Sequence, residues 1–459
     1  MKRNKIDIFD FILKKDKSRN KNYQQFFSFF NSEKNPEYFV NTSIFDKNEY
    51  FDCIKEFKNK LNNKNLSKLE KACIGSMLGM AIGDALGAKV EFLPLDYNFK
   101  QIDDMNNKLG GEFDLKPGQW TDDTSMGLCL ADSLIEKKGY FEPNDIMMRF
   151  ILWWFYGYNN AFRFDKERKN KNSVGLGGNI SGSIERYIKE KGKNPYTKYG
   201  NRNTSGNGSI MRNAAIPICY YNNEEEALHY AKSQSRITHQ GDEAAGCCQL
   251  LTFIIVRILK TKIENKPNLI GVNNVNKFGV NNINLDISKT NDNNLKNILN
   301  NLKEFKCEYN SVNYLAYSQI EENDKNRNWN WKDKDFKYNE ERAFNQSTYI
   351  GSYCMDGLAM ALHVLYHTNN FKDAILKAVN LCGDADSVGS VVGQIAGAFY
   401  ELDSIPEDWI KAINQWDDNE IALRGYILCN LIPPNVNNNY IFYRKGTNKK
   451  KNEECCNIF

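Results

Sequence analysis

Residues 74–87 read IGSMLGMAIGDALG, with a glycine at every fourth position from the second residue onward. The same spacing recurs near the C-terminal end, and the glycines of the two stripes are Gly75, Gly79, Gly83, Gly87, Gly389, Gly393 and Gly397. A glycine inside a helix costs about 1 kcal/mol relative to alanine, so a stripe is tolerable where it lets two helix backbones approach closely. Asp84 interrupts a segment that is already short, which argues against the membrane version of this motif. We expect the two helices to lie deep in the domain, packed against each other.

The zones around these stripes, 66–260 and 346–434, are dense in apolar residues at three- and four-residue spacing. Few runs alternate with a period of two, so the sequence predicts an all-α fold, a single compact multi-helix domain over residues 66–435. Residues 1–65 form an N-terminal extension of unknown role. Residues 261–345 are rich in Asn and Lys with few apolar anchors, which predicts a disordered insertion between two helices, and the termini should be flexible. Helices are expected over 66–91, 124–137, 224–233, 242–260, 354–366, 371–381 and 387–402.

Composition excludes several functional classes. A net charge of +4 over 459 residues, with no basic stripe among aromatics, gives no reason to expect specific nucleic-acid binding. We find neither a signal peptide nor the roughly 18 apolar residues of a membrane helix. The twelve cysteines form no secreted framework, and with four histidines a structural zinc site is not expected. The cysteines therefore indicate reduced thiols in a cytoplasmic protein.

Two acidic clusters each stand directly before an apolar helix. They are residues 118–124, GQWTDDT, and residues 383–387, GDADS. Helix capping explains one acid in each cluster but not two. If the clusters converge, the repulsion among four carboxylates must be relieved by protonation or by a cation. An oxygen-only ligand set without His or Cys favours Mg²⁺ or Mn²⁺ over zinc.

Three further motifs are weaker on their own. Asp84 is expected to be a buried supporting acid, whereas Glu91, at the exit of the same helix, is a better candidate for a mobile acid entering the site. Residues 206–212, GNGSIMR, could cradle phosphate through backbone N–H groups and one cation, although a simple turn is the commoner explanation. Residues 174–179 form a similar ambiguous loop. A lone histidine usually has a packing or surface role, but His239 lies in a polar loop rather than on an apolar face, which favours a functional role.

Five motifs in chain order resemble the ADP-ribosylglycohydrolase family, especially its dinitrogenase-reductase-activating branch, from about residue 66 to residue 402 apart from the insertion. They are residues 83–92, GDALGAKVEF, residues 118–124, residues 206–212, residues 235–239, SRITH, and residues 383–389, GDADSVG. The resemblance implies an all-α fold with two Mg²⁺ ions, or Mn²⁺ in some members. It implies metal ligands at Thr121, Asp122, Asp123, Asp384, Asp386 and Ser387, where Ser387 keeps the hydroxyl of a position that is often threonine. It implies catalytic roles for Glu91, Asp122 and Asp123. It implies substrate contacts from Gly206, Asn207, Gly208, Ser209, Met211, Arg212 and His239.

The function that this resemblance implies is hydrolysis of the N- or O-glycosidic bond between ADP-ribose and a modified protein side chain. Metal ions would bind ribose hydroxyls, and a water held by a carboxylate would attack the anomeric carbon. The sequence leaves open which linkage is cut. Two alternatives stay open: a catalytically inactive ADP-ribose-binding protein of the same fold, and a different metallohydrolase such as a phosphoesterase.

The last residues, KKKNEECCNIF, fit a prenylation box with Cys456 fourth from the end. A second acyl chain on Cys455 and the neighbouring lysines would supply the second signal that stable anchoring requires. The alternative is a disordered polar tail that ends in this pattern by chance and carries no lipid. We expect a cytoplasmic protein with peripheral contact to the cytosolic face of a membrane through this tail.

Overall fold

A computed structural model describes residues 41–196, 204–263, 295–322, 327–339, 342 and 349–434. Within these ranges all regular structure is helical except one isolated bridge between Gly206 and Tyr353, which confirms the predicted all-α class. The described α-helices are α1 Phe51–Asn62, α2 Lys68–Gly87, α3 Asp122–Glu136, α4 Pro143–Tyr156, α5 Gly178–Lys189, α6 Ala215–Tyr220, α7 Glu224–Arg236, α8 Asp242–Thr261, α9 Leu295–Asn300, α10 Asn310–Ala316, α11 Cys354–Tyr366, α12 Phe371–Val379, α13 Ala385–Tyr400, α14 Glu407–Asn414 and α15 Glu420–Asn430.

The two glycine stripes pack against each other at the centre of the molecule, as predicted. A Cβ atom on Gly79 would overlap the backbone carbonyl of Gly393, and one on Gly83 would overlap that of Gly389. Residue numbers rise along α2 as they fall along α13, so the helices are antiparallel. The C-terminal end of α2 therefore lies beside the N-terminal end of α13. This pairing brings the segment with Asp84 and Glu91 close to the acidic cluster at residues 383–387.

The other helices surround this central pair. Helices α3 and α15 pack on α2, and α8, α11 and α12 pack on α13. Helix α8 is the one described helix long and apolar enough to cross a membrane, but 78% of its most apolar window is buried inside the protein. That burial is what a core helix of this fold requires.

Part of the predicted N-terminal extension belongs to the packed domain. Ile44 and Phe45 are buried, and the ring of Phe57 in α1 lies 5.4 Å from that of Tyr426 in α15. Lys60 of α1 also forms an ion pair with Glu70 at 2.8 Å. Residues 41–62 are therefore anchored by a few apolar side chains in a polar stretch. Residues 1–40 lie outside the described range, as do the tail residues 435–459 with Cys455 and Cys456.

The predicted insertion also divides into two parts. Residues 264–294 lie outside the described range, whereas residues 295–322 and 327–339 depart from the expected loose packing. Trp329 and Trp331 are fully buried, and their ring N–H groups donate to Glu322 at 2.9 Å and to the carbonyl of Leu315 at 2.7 Å. The high Asn and Lys content of this stretch predicted loose packing. Two tryptophan side chains are enough to anchor it, because each buries a large apolar surface.

Candidate active site

A buried carboxylate near the C-terminal end of α2 fixes the start of α3. The backbone N–H and hydroxyl of Thr121 donate to Oδ1 of Asp84 at 2.9 and 2.8 Å, and those of Thr124 donate to Oδ2 at 2.9 and 2.6 Å. Because the first N–H groups of a helix have no partner inside it, Asp84 caps α3 from another helix. This agrees with the supporting role expected for Asp84. The hydroxyl of Thr121 also lies 3.3 Å from Oδ2 of Asp386.

Asp122 and Asp123 are the first two residues of α3, and both are buried. The loop before α5 closes over Asp122, because a Cβ on Gly175 would overlap its Oδ1 atom. Gly175 also has a φ of +83°, a conformation that residues with a Cβ rarely adopt. The loop at 174–179, which the sequence left ambiguous, therefore shapes the site through its backbone.

The second cluster starts α13 and is held by the loop at 206–212. The side-chain amide of Asn207 donates both to Oδ2 of Asp384 and to the carbonyl of Gly351, each at 3.0 Å. The N–H of Ser387 donates to Oδ1 of Asp386 at 2.9 Å, and the Ser387 hydroxyl lies 3.6 Å from the sulfur of Met211. Asn207 thus positions an acid of the cluster, in addition to the substrate contact expected for it.

These elements bring five buried acids together, called here the acid cluster: Glu91, Asp122, Asp123, Asp384 and Asp386. One oxygen from each of Asp122, Asp123 and Asp386 lies within 4.8 Å of the others, and the same holds for Glu91, Asp384 and Asp386. Asp386 belongs to both groups. The convergence expected from the sequence is therefore present, with Asp386 at its centre.

Burial and mutual repulsion disfavour the charged forms of these acids. Burial first, and the neighbouring carboxylates second, raise the pKa of Asp122, Asp123 and Asp386 well above its usual range. The same causes raise the pKa of Glu91 to about 8. Oδ1 of Asp123 and Oε2 of Glu91 are buried without a hydrogen-bond partner among the described residues. The cluster as a whole fits a hard divalent cation, whose positive charge would stabilise the ionised carboxylates.

Glu91 lies in the turn after α2, at the edge of the acid cluster. The hydroxyl of Tyr349 donates to its Oε1 atom at 2.5 Å, and the ring of Tyr349 stacks on that of Phe92 at 5.0 Å. Glu91 is 9% exposed, more than Asp123 or Asp386. It is therefore the acid of the cluster placed between the buried oxygens and the protein surface.

The loop at 206–212 and His239 meet beside the acid cluster. The imidazole of His239 lies against Gly208, where a Cβ would approach it to 2.9 Å, and its Nδ1 is 2.8 Å from the hydroxyl of Thr238. Burial and the charge of Arg212 lower the pKa of His239 to about 3, so the ring is neutral at physiological pH. Ser209 is fully buried, with its hydroxyl 2.8 Å from that of Ser235.

Arg212 differs from the phosphate-binding side chain expected from the sequence. It is fully buried, and its guanidinium donates to the side chain and carbonyl of Gln234 at 3.1 Å and to the hydroxyl of Thr238 at 2.8 Å. The guanidinium also lies 4.6 Å from the centre of the Phe150 ring. In this structure Arg212 therefore fastens the loop to α7 rather than presenting its charge at the site.

Sequence reasoning did not assign three residues that complete the site. Gly175 contacts Asp122, Tyr349 contacts Glu91, and Tyr353 pairs with Gly206 through the isolated bridge. The glycine-rich run 174–179 gave a weak signal for the first. The two tyrosines border the Asn-rich stretch and give no signal by spacing.

Comparison with known proteins bears directly on this arrangement. The ADP-ribosylglycohydrolase family model matches residues 65–432, which contain both acidic clusters and the loop between them. The chain belongs to the ADP-ribosylglycohydrolase family. Its activity is that of an ADP-ribosylglycohydrolase, a hydrolase that reverses ADP-ribosylation.

Several relatives cover most of the chain. It is 30% identical over 339 residues to the ADP-ribosylarginine hydrolase Tri1 of Pseudomonas putida, covering 74% of this chain and 73% of that protein. It is 27% identical to the ADP-ribosyl-(dinitrogen reductase) glycohydrolase of Rhodospirillum rubrum, covering 76% and 92%. A solved structure described as an ADP-ribosylglycohydrolase-related protein complex is also similar. The match covers 79% of this chain and 100% of the chain in that structure, with a TM-score of 0.55 and 28% sequence identity.

Proposed function

We propose that this ADP-ribosylglycohydrolase uses divalent cations held by the acid cluster to cut the glycosidic bond between ADP-ribose and a protein side chain, with arginine as the first candidate. The observation that carries the metal dependence is the sharing of Asp386 between two carboxylate groups. Each group of three carboxylates could hold one ion, and Asp386, which belongs to both groups, could bind both ions. Carboxylate and hydroxyl oxygens favour Mg²⁺, with Mn²⁺ as a substitute.

Thr121, Asp122, Asp123, Asp384, Asp386 and Ser387 would hold the ions. Bound ions of this kind polarise sugar oxygens and make a bound water more acidic. Asp122 or Asp123 would orient the water. The same carboxylate would accept a proton from the water as the water oxygen bonds to the anomeric carbon. The bond to the side-chain nitrogen or oxygen breaks, and that atom leaves with a proton. The proton that the aspartate takes from the water balances the one that the leaving atom receives, and Glu91, at the edge of the cluster, is placed to contact the leaving side chain.

The ADP-ribose itself would lie along the loop at 206–212. Gly206, Asn207, Gly208 and Met211 border the acid cluster or His239, and the neutral imidazole can donate or accept one hydrogen bond there. Ser209 and Arg212 would act through the position of the loop. The arginine target is supported by the two relatives named as ADP-ribosylarginine hydrolases, from Pseudomonas putida and Serratia proteamaculans.

The test is incubation of the protein with ADP-ribosylarginine, ADP-ribosylserine or a phosphoester, each with Mg²⁺ and again with EDTA. We expect release of ADP-ribose that needs the cation and that is lost in Asp122→Asn, because the acid then lacks one charge. Full activity in EDTA or in the variant would contradict the metal mechanism. Binding of ADP-ribose without release from any substrate would indicate an inactive binding protein, and cleavage of the phosphoester alone would indicate a phosphoesterase.

The location of the protein and the lipid-modified tail stay predictions. A cytoplasmic protein is expected from the unpaired cysteines, and the described cysteines are all free thiols. Prenylation at Cys456 is tested by comparing membrane fractionation of the full chain with that of Cys456→Ser. An unchanged membrane fraction in the variant would contradict it.

A further inference from the structure

Three aromatic side chains in contact with one another adjoin Glu91 through Tyr349 and Phe92, and they are called here the aromatic rim: Phe92, Phe113 and Tyr349. The rings of Phe92 and Tyr349 stack with their planes 18° apart, and Phe113 meets Phe92 edge to face at 6.0 Å. Phe92 is 49% exposed although it follows the buried Glu91 directly. Tyr349 covers one face of the Phe92 ring, and the exposed half of the residue stays open to a ligand.

The backbone holds Phe92 in this position at a cost. Its φ is +68°, a strained backbone conformation for a bulky residue. The N–H of Phe92 donates to the carbonyl of Gly383 at 3.0 Å, and the N–H of Gly383 donates to the carbonyl of Leu93 at 2.9 Å. The turn that carries the ring is thus tied to the start of the second acidic cluster, so the ring and the acids keep a fixed relation.

An aromatic ring beside a carboxyl group suits a flat cation. Oε2 of Glu91 is buried without a hydrogen-bond partner among the described residues, next to the hydrogen bond from Tyr349 to Oε1. Elsewhere in the described chain the protein places its own arginines on rings, such as Arg168 over Phe162. A guanidinium combines a flat face that stacks on an aromatic ring with N–H groups that donate to a carboxylate. A serine hydroxyl offers neither the flat face nor the charge.

We propose that the aromatic rim is the recognition site for the arginine side of the scissile bond. The guanidinium packs on the exposed face of Phe92 while one of its N–H groups donates to Oε2 of Glu91. This inference rests on the proposed function and adds to it the residues that select the leaving group. Phe92 is then a specificity-determining residue, and Tyr349 positions both Phe92 and Glu91.

The test compares Phe92→Leu with Phe92→Tyr. Leucine keeps an apolar side chain without a ring, and tyrosine keeps the ring. Each is assayed for KM and kcat on ADP-ribosylarginine, for kcat/KM on ADP-ribosylserine, and for inhibition by free ADP-ribose. Phe164→Leu, at an exposed phenylalanine outside the rim, is the matched control.

We expect Phe92→Leu to raise KM for ADP-ribosylarginine roughly tenfold, the size of a cation–π contact at a partly exposed site. Inhibition by ADP-ribose, which lacks the guanidinium, should change by less than about twofold, and Phe92→Tyr and Phe164→Leu should resemble the wild type. An unchanged KM in Phe92→Leu, or an equal loss of ADP-ribose binding, would overturn the inference while leaving the hydrolase function standing. So would a wild type that cleaves only the serine linkage. A wild type that cleaves no ADP-ribosyl bond would overturn the proposed function itself.

Discussion

At the scale of single residues, the site is defined by carboxylates that are buried together rather than by any one of them. Thr121 and Asp384 stand at the N-cap positions of α3 and α13, but neither side chain accepts a capping hydrogen bond at its own helix start. Asp84 caps α3 instead, which frees Asp122 and Asp123 for another task. Capping and the proposed metal binding would therefore be divided among different acids, a division that spacing alone does not reveal.

The raised pKa values predict how pH acts on the metal-free protein. An acid whose pKa is higher in the folded than in the unfolded state binds more protons when folded, so stability falls as pH rises between the two values. For Glu91 this window runs from the usual 4.5 to about 8. In EDTA we expect the melting temperature to fall from pH 5 to pH 8.5. Added Mg²⁺ should raise it more at pH 8.5 than at pH 5, because cations and protons compete for the same oxygens.

Differential scanning fluorimetry across this range is the measurement. The control is Asp403→Asn, which alters an exposed aspartate on the surface and should leave the pH dependence unchanged. A metal-free melting temperature that rises steadily with pH would contradict the assigned direction.

At the scale of elements, the sequence predicted the central helix pair and most of the longer helices. The glycine stripes predicted the central pair because only a side chain of one hydrogen permits backbone contact. The segments expected to be helical did not include α4, α5, α6, α9, α10, α14 and α15. Helix α5 starts in a glycine-rich run that resembled a loop, although Ile180, Ile184 and Tyr187 form a buried stripe along it. Helix α4 is apolar on nearly all faces and therefore shows no clear stripe.

The central pair gives a sharp prediction. Gly79→Ala places a Cβ on the backbone of Gly393, which no side-chain rotation can relieve. We expect destabilisation of about 3 kcal/mol or more, or failure to fold, although alanine normally favours a helix by about 1 kcal/mol. Gly178→Ala in α5 is the matched control, since nothing lies within 4 Å of its added Cβ. Urea unfolding measures both, and equal stability of the two variants would contradict the close approach.

At the scale of the whole molecule, a polar stretch proved to be part of the core. Arg327 bridges Glu322, Glu243 and the hydroxyl of Tyr353, with contacts of 2.7, 3.0 and 2.8 Å. Tyr353 in turn pairs with Gly206 at the start of the substrate loop. Residues 295–322 and 327–339 thus support the active site from outside the family motifs. The low apolar content of this stretch gave no sign of its packing in the sequence. Two buried tryptophans and the hydrogen-bond network of Arg327 hold it in place instead of many small apolar side chains.

Trp331→Ala tests that packing. A fully buried tryptophan that loses its ring leaves a large cavity, and the expected loss is about 3–5 kcal/mol. Ile320→Ala is the control in the same segment, since Ile320 is 64% exposed and should change stability by less than about 0.5 kcal/mol. Chemical unfolding of both variants provides the comparison. Similar small losses in the two would mean that the segment is loosely attached.

The central claim is that the acid cluster is a divalent-cation site organised around Asp386. Its most direct measurement is Mn²⁺ binding, followed by the electron paramagnetic resonance signal of the free ion, for the wild type, Asp386→Asn and Asp403→Asn. Asparagine keeps the oxygen that accepts from the N–H of Ser387, so Asp386→Asn should fold. We predict that wild type and Asp403→Asn bind Mn²⁺ in competition with Mg²⁺, and that Asp386→Asn loses at least tenfold in affinity, about 1.4 kcal/mol. Equal Mn²⁺ binding by wild type and Asp386→Asn would contradict the account.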